Sequence, residues 1–206
     1  RVLDTLRELR LDDETLVVFT ADHGEEFGER GWLGHTTTLR EEVVRVPLII
    51  RDPRAAPETV SQPVSLVSIA PTVLDLLGID VAEGSFHGQS LAPLLLGGEP
   101  EAFEPILIHV DFDETKDKLT HKLAIVDEQY KLILDMRSDQ VQLFDLLEDP
   151  LEMNDLSGSK PQVRKELLAG VEELERRARK REVDGHESRI SERELESLRA
   201  LGYVND

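Results

Sequence analysis

Apolar residues recur at helical spacing at Val2, Leu3, Leu6 and Leu9, so the chain is expected to open on an amphipathic helix. Leu11-Asp12-Asp13-Glu14 reads as a polar turn, and residues 15–20 then form an unbroken apolar, β-branched run of strand length. A run without alternation suits a strand covered on both faces, so it is expected to be a buried parallel strand. A second such run, Val46-Pro47-Leu48-Ile49-Ile50, follows after about 25 residues of Gly-rich and charged loop with room for a short helix. Two strands of this kind predict an α/β sheet.

Helical periodicity returns over 64–77, with Ser68 as the expected N-cap, Pro71 in the first turn, Val73, Leu74 and Leu77 apolar, and Gly78 as the stop. Residues 79–104 are rich in Gly, Pro and Ser and read as a surface crossing. That places a boundary near residue 100, dividing the chain into 1–100 and 101–206. Beyond it, four short apolar runs at 106–110, 122–126, 131–134 and 141–144 alternate with polar turns and predict a small antiparallel sheet. A helix is expected over 161–181, with Val163, Leu167, Val171, Leu174 and Ala178 on one face. Ser191 and Glu194 form a capping box for a last helix ending at Gly202.

Charge narrows the possible partners. With 43 acidic and 24 basic residues the net charge is −19, which repels phosphate backbones and argues against nucleic-acid binding. No apolar run approaches the roughly 20 residues of a membrane span, and the start has no signal-peptide pattern. Cysteine is absent, which excludes disulfides and thiolate metal sites and leaves the compartment open. Because helical patterning begins directly after Arg1, the domain is expected to extend upstream of it.

The densest chemistry is Thr20-Ala21-Asp22-His23-Gly24-Glu25-Glu26, at the exit of the first strand, where open α/β sheets gather their ligands. A carboxylate and an imidazole side by side, followed by a glycine that lets the backbone turn, can face one cation. Asp22 and His23 are therefore candidate metal ligands, although the triplet taken alone better suits a turn-forming Asp beside a hydrogen-bonded His, and the choice rests on context. His35 is a second imidazole near the same sheet edge, in Gly34-His35-Thr36-Thr37-Thr38-Leu39-Arg40-Glu41-Glu42.

The remaining polar residues have plainer readings. Glu25 and Glu26 are expected as exposed loop acids, and His87, His109 and His121 as surface or locally satisfied histidines. Asp111, Asp113 and Asp117 lack the Gly and closing Glu of a calcium loop and read as solvated. The basic run 176–181 complements a helix C-terminus and pairs with Glu172, Glu173 and Glu175. Ser159 reads as helix-entry chemistry.

The run 15–50 resembles the second half of a sulfatase active-site region, within the alkaline phosphatase superfamily. Three further blocks agree in order: Ala70-Pro71-Thr72-Val73-Leu74-Asp75-Leu76-Leu77-Gly78, Gly88-Gln89-Ser90-Leu91-Ala92-Pro93-Leu94-Leu95, and Gln142-Leu143-Phe144-Asp145-Leu146-Leu147-Glu148-Asp149-Pro150-Leu151-Glu152. The closing Leu198-Arg199-Ala200-Leu201-Gly202-Tyr203 is also similar to some members. The resemblance implies an alkaline-phosphatase-like, mostly parallel α/β sheet over 1–100 and an α+β subdomain with an antiparallel sheet and helices over 101–206. It implies Asp22 and His23 as the late pair of ligands to a divalent metal, calcium first, with manganese, magnesium or zinc as alternatives. His35 then matches a position, often Lys, that contacts the transferred group. The implied substrate is a sulfate ester and the implied location periplasmic or extracellular.

The family's nucleophile, a Cys or Ser converted to formylglycine in an N-terminal Cys- or Ser-x-Pro-x-Arg motif, has no counterpart among these 206 residues, and neither does its first pair of Asp ligands. Ser159-Lys160-Pro161-Gln162-Val163-Arg164 places its Arg one position too late. The chain is thus expected to be inactive without an N-terminal part of the same protein. A histidine in the metal pair keeps open a phosphodiesterase or phosphonate monoester hydrolase of the same superfamily. A non-catalytic binding module is the reading from a different class.

Overall fold

A computed structural model describes residues 1–35, 37–82, 84–98, 104–113 and 119–184. The expected boundary near residue 100, Asp117, the Ser191/Glu194 capping box and the closing 198–203 block lie outside the described residues. Two compact units are present, residues 1–171 and 172–206.

The opening pattern forms helix α1, Val2–Glu8, and the first apolar run forms strand β1, Val17–Thr20. A hairpin of two-residue strands follows, β2 Glu26–Phe27 with β3 Leu33–Gly34, then the one-turn helix α2, Glu41–Val44, and strand β4, Leu48–Arg51. The α/β class expected for this part holds, but β1 and β4 pair antiparallel with each other, Val17 opposite Arg51 and Thr20 opposite Leu48. A parallel return needs a crossover that carries the chain from one end of the sheet to the other. Here the connection doubles back through a hairpin and one helical turn, and the strand returns alongside its predecessor. The strands are not covered on both faces either, since the opposed pair Phe19 and Ile49 is 58% and 60% exposed.

After β4 a 3-10 turn, Leu66–Ser68, leads into helix α3, Ile69–Leu76, with Pro71, Thr72 and Leu76 buried. Ser68 occupies the predicted N-cap position, yet its hydroxyl makes no cap bond, because the preceding turn already gives it helical angles. Gly78 ends the helix at φ +67°, as expected of a left-handed stop. The next motif folds back onto this helix. Ser90 donates to Asp75 at 2.5 Å, and the Thr72 hydroxyl accepts from the Leu91 amide at 2.8 Å. Gly88 is required, since a Cβ there would come within 2.5 Å of the Val67 carbonyl. Helix α4, Ala92–Leu95, closes the segment.

The predicted antiparallel sheet is present as β5 Ile106–Asp113, β6 Leu119–Val126, β7 Tyr130–Asp135 and β8 Gln140–Asp145, in sequential order. Its inner face supplies the buried Leu123, Ile125, Leu132 and Leu143. Helix α5, Pro161–Asp184, buries Leu167 and Val171, and it comes so near the sheet that a Cβ on Gly170 would lie 2.8 Å from Ile125 Cδ1. On the other side, Leu39 and Val44 pack with Ala124, Ile133 and Phe144, so both sequence halves contribute to one core cluster. In the second unit, Glu173 accepts from Arg176 and Arg177 at 2.8 Å, the pairing expected for the basic run.

A buried charge network ties the His35 loop to this sheet. Lys131 is fully buried, and its Nζ lies 2.8 Å from Glu41 and 3.0 Å from Glu152. Glu152 also accepts from the Glu41 amide at 3.0 Å. Arg40 donates to the Glu152 carbonyl and to Gln142, both at 3.1 Å, and its guanidinium carbon lies 4.3 Å from the Phe144 ring centre. Arg30 bridges Glu42 at 3.1 Å and the Leu151 carbonyl at 2.7 Å. Lys122 adds a bond to the Thr37 carbonyl at 2.7 Å.

Candidate active site

Strand β1 delivers Asp22 and His23 to its carboxyl end, where the backbone leaves the sheet at Gly24. The Gly24 amide donates to the Val43 carbonyl at 2.7 Å, and a Cβ at this position would collide with the Glu42 carbonyl oxygen. Glycine is therefore imposed by close approach of helix α2, which fixes the distance between the Asp-His pair and the following loop.

Asp22 is largely open to solvent, its side chain 89% exposed. Its Oδ1 accepts the His23 amide at 2.9 Å. That bond, its own amide and the His23 ring hold the carboxyl below the usual aspartate range. His23 Nδ1 lies 2.8 Å from the Gly24 carbonyl, which can only accept, so the proton sits on Nδ1 and Nε2 carries the lone pair. Asp22 Oδ2 and His23 Nε2 are 3.8 Å apart. Two ligands each about 2.2 Å from one cation span roughly 3 to 4 Å, so this donor pair fits a shared divalent ion.

His35 is brought to the same place. Its ring stacks on that of His23, with centres 3.9 Å apart and planes inclined by 24°. Its Nδ1 donates to Glu25 Oε2 at 2.9 Å. All three residues singled out from sequence thus converge, and they line one cavity of about 650 Å³ together with Thr38, Glu41 and Arg45.

Comparison with known proteins gives the family. The family described as N-sulphoglucosamine sulphohydrolase, C-terminal, matches residues 28–179. The chain belongs to the sulfatase family. It is 37% identical over 158 residues to the choline-sulfatase of Rhizobium meliloti, covering 76% of this chain and 30% of that protein. It is 30% identical over 196 residues to the N-acetylglucosamine-6-O-sulfatase of Bacteroides thetaiotaomicron, covering 91% and 35%. Among solved structures, BT4656 in complex with its substrate D-glucosamine-2-N,6-O-disulfate superposes with a TM-score of 0.72 at 29% identity, covering 92% of this chain and 39% of that one. The chain thus spans about a third of the length of these curated sulfatases, 30% and 35%.

The sulfatase blocks now have physical roles. Gly24 permits the contact with α2, Ser90 clasps α3, and Glu152, which ends the Phe144-Asp145 block, is the hub of the buried network. Asp145 in the same block accepts the Leu147 and Glu148 amides at 3.2 Å and so shapes the turn that presents Glu152.

Glu25 and Glu26 are not the exposed loop acids expected. Glu25 holds His35, and Glu26 is buried, with desolvation and the neighbouring Glu42 charge raising its carboxyl above the ordinary value. The signal for Glu25 lay in the hairpin register. Glu26 pairs with Gly34 and Phe27 with Leu33, which puts residue 25 opposite residue 35. His87 and His109 are exposed, as expected, and the His109 ring lies 5.2 Å from that of His121.

Proposed function

We propose that the full-length protein hydrolyses sulfate esters. Asp22 and His23 would supply two ligands of a divalent cation, calcium in the first instance, and His35 would contact the transferring sulfate or the leaving oxygen. The observation that carries this reading is the convergence of Asp22, His23 and His35 in one cavity, with an open carboxylate oxygen and an imidazole lone pair at ligand spacing. A bound cation would polarise the ester oxygens. Asp22 stays ionised because hydrogen bonds favour its charged form, His23 offers Nε2 because Gly24 occupies its other nitrogen, and the His35 loop is held against the sheet by Lys122, Arg40 and Glu41. Positioning of this kind places donors where charge develops, at no reorganisation cost during the reaction.

The test is the ratio of kcat/KM for 4-nitrophenyl sulfate to that for bis(4-nitrophenyl) phosphate, measured on the full-length protein with calcium and with manganese. A clear preference for the sulfate ester with calcium is expected. A preference for the phosphodiester with manganese would overturn the reading in favour of phosphoester chemistry, and loss of both activities in the complete protein would favour a binding module.

A further inference from the structure

We propose that Glu25 is a positioning residue for His35, one that fixes which ring nitrogen faces the substrate. The proposal rests on the reading of His35 given above. It starts from the hairpin: β2 and β3 pair Glu26 with Gly34 and Phe27 with Leu33, and extending the ladder one step sets Glu25 across from His35. His23 lies just before Glu25, where the chain has left β1, and its ring reaches the face of His35. The register accounts for the Glu25 Oε2 to His35 Nδ1 hydrogen bond of 2.9 Å, and the His23 ring stacks on the same imidazole with centres 3.9 Å apart.

The hairpin is itself held in place. Gly28, Gly31 and Gly34 adopt positive φ, the Phe27 amide donates to Glu29 at 2.6 Å, and the Gly31 amide donates to the Gly28 carbonyl at 3.0 Å. Gly34, at φ +117°, redirects the backbone immediately before His35. With a carboxylate at Nδ1 and an imidazole against its face, the His35 ring has two of its surfaces fixed. Nε2 is the nitrogen left to meet a ligand, and it points away from Glu25.

The same three side chains, His23, Glu25 and His35, have ligand atoms within 4.8 Å of one another, which raises the alternative of a metal bound among them. The geometry disfavours it. Lone pairs of stacked imidazoles lie in nearly parallel planes and do not converge on one ion, and the Glu25 oxygen is already engaged by the ring nitrogen it would have to release. An imidazole oriented by a carboxylate at one nitrogen and free at the other is the arrangement that in metal and catalytic sites sets tautomer and aim.

Two measurements on the full-length protein test this. Ring nitrogen spectra of histidine-labelled protein read the His35 tautomer directly. Nδ1 protonation is expected in the wild type and in Glu25→Gln, whose amide oxygen still accepts, and a shift of the proton toward Nε2 in Glu25→Ala. An unchanged tautomer in Glu25→Ala overturns the proposal, as does a zinc-induced signal change at His23 and His35 that Glu25→Ala abolishes, which would mark a metal site instead. In turnover of 4-nitrophenyl sulfate, Glu25→Ala should lower kcat about 10- to 100-fold with KM nearly constant, the usual effect of removing an orienting partner, and Glu25→Gln should recover most of it. In a His35→Ala background the Glu25→Ala change should add no further loss. Wild-type kcat in Glu25→Ala, in a protein that His35→Ala inactivates, contradicts the positioning role alone. Undiminished turnover in His35→Ala contradicts the reading of His35 on which it rests.

Discussion

Two polar clusters share the stretch of chain from residue 22 to residue 42 and are built to opposite ends. In the buried one, Lys131 has no exposure, and Glu152 and Glu41 are each engaged at more than one point. In the open one, Asp22 is 89% exposed, and each imidazole has one hydrogen bond. Burial makes an unpaired charge costly, so Lys131 is paired with both Glu41 and Glu152, and the network holds the loop even though the buried Arg30 Nε and Glu42 Oε2 make no hydrogen bond among the described residues. Exposure removes that demand and leaves Asp22 Oδ2 and His23 Nε2 available. The antiparallel sheet thus anchors the chain on either side of His35.

This contrast predicts a graded series. Lys131→Met removes the buried cation that lies against both Glu41 and Glu152, leaving Glu152 only the more distant Arg40 and Arg30 at 3.8 and 3.9 Å, so denaturant unfolding should show a loss of about 3–5 kcal/mol. Gly24→Ala strikes the joint between the clusters by driving a methyl group into the Glu42 carbonyl. Chemical unfolding should show it destabilised by about 1–3 kcal/mol, with turnover reduced as well because the Asp-His pair shifts. Asp52 lies between the extremes, buried but paired with an exposed Arg54 whose hydrogen bonds lower its carboxyl to about 2. A depressed folded value means that stability is fully present above the unfolded aspartate range near pH 4 and is lost as pH falls toward about 2. Melting curves across that window should therefore fall more steeply in the wild type than in Asp52→Asn. At the far end, Asp22→Ala should leave stability within about 0.5 kcal/mol, since nothing buried depends on the carboxylate. A large loss there would erase the distinction between the clusters.

The sequence made much of this legible, and for physical reasons. Strands β5 to β8 follow local alternation and turn chemistry, and Gly78 marks a helix end whose requirement is purely local. Asp22, His23 and His35 were visible because chemistry-bearing residues at a strand exit are few. The pairing direction of β1 and β4 was not visible, because an unbroken apolar run says how apolar a strand is and nothing about which strand lies beside it. The buried network escaped for a related reason. Lys131, Arg30 and Arg40 look like ordinary surface cations until residues 90 to 120 positions away bring their carboxylates and acceptors, as Glu41 and Glu152 do. Glu25 was within reach: once the glycines mark a hairpin, its register alone names the partner.

Cation binding by Asp22 and His23 is tested most directly by following sulfate-ester turnover in the full-length protein after chelation and on adding back calcium, for the wild type and Asp22→Ala. The chelated wild type should be inactive and should recover with calcium, while Asp22→Ala should stay at least about 1,000-fold slower at any calcium level, as expected when a metal-held transition state is lost. Turnover by Asp22→Ala within a few-fold of the wild type, or wild-type activity untouched by the chelator, would contradict the assignment.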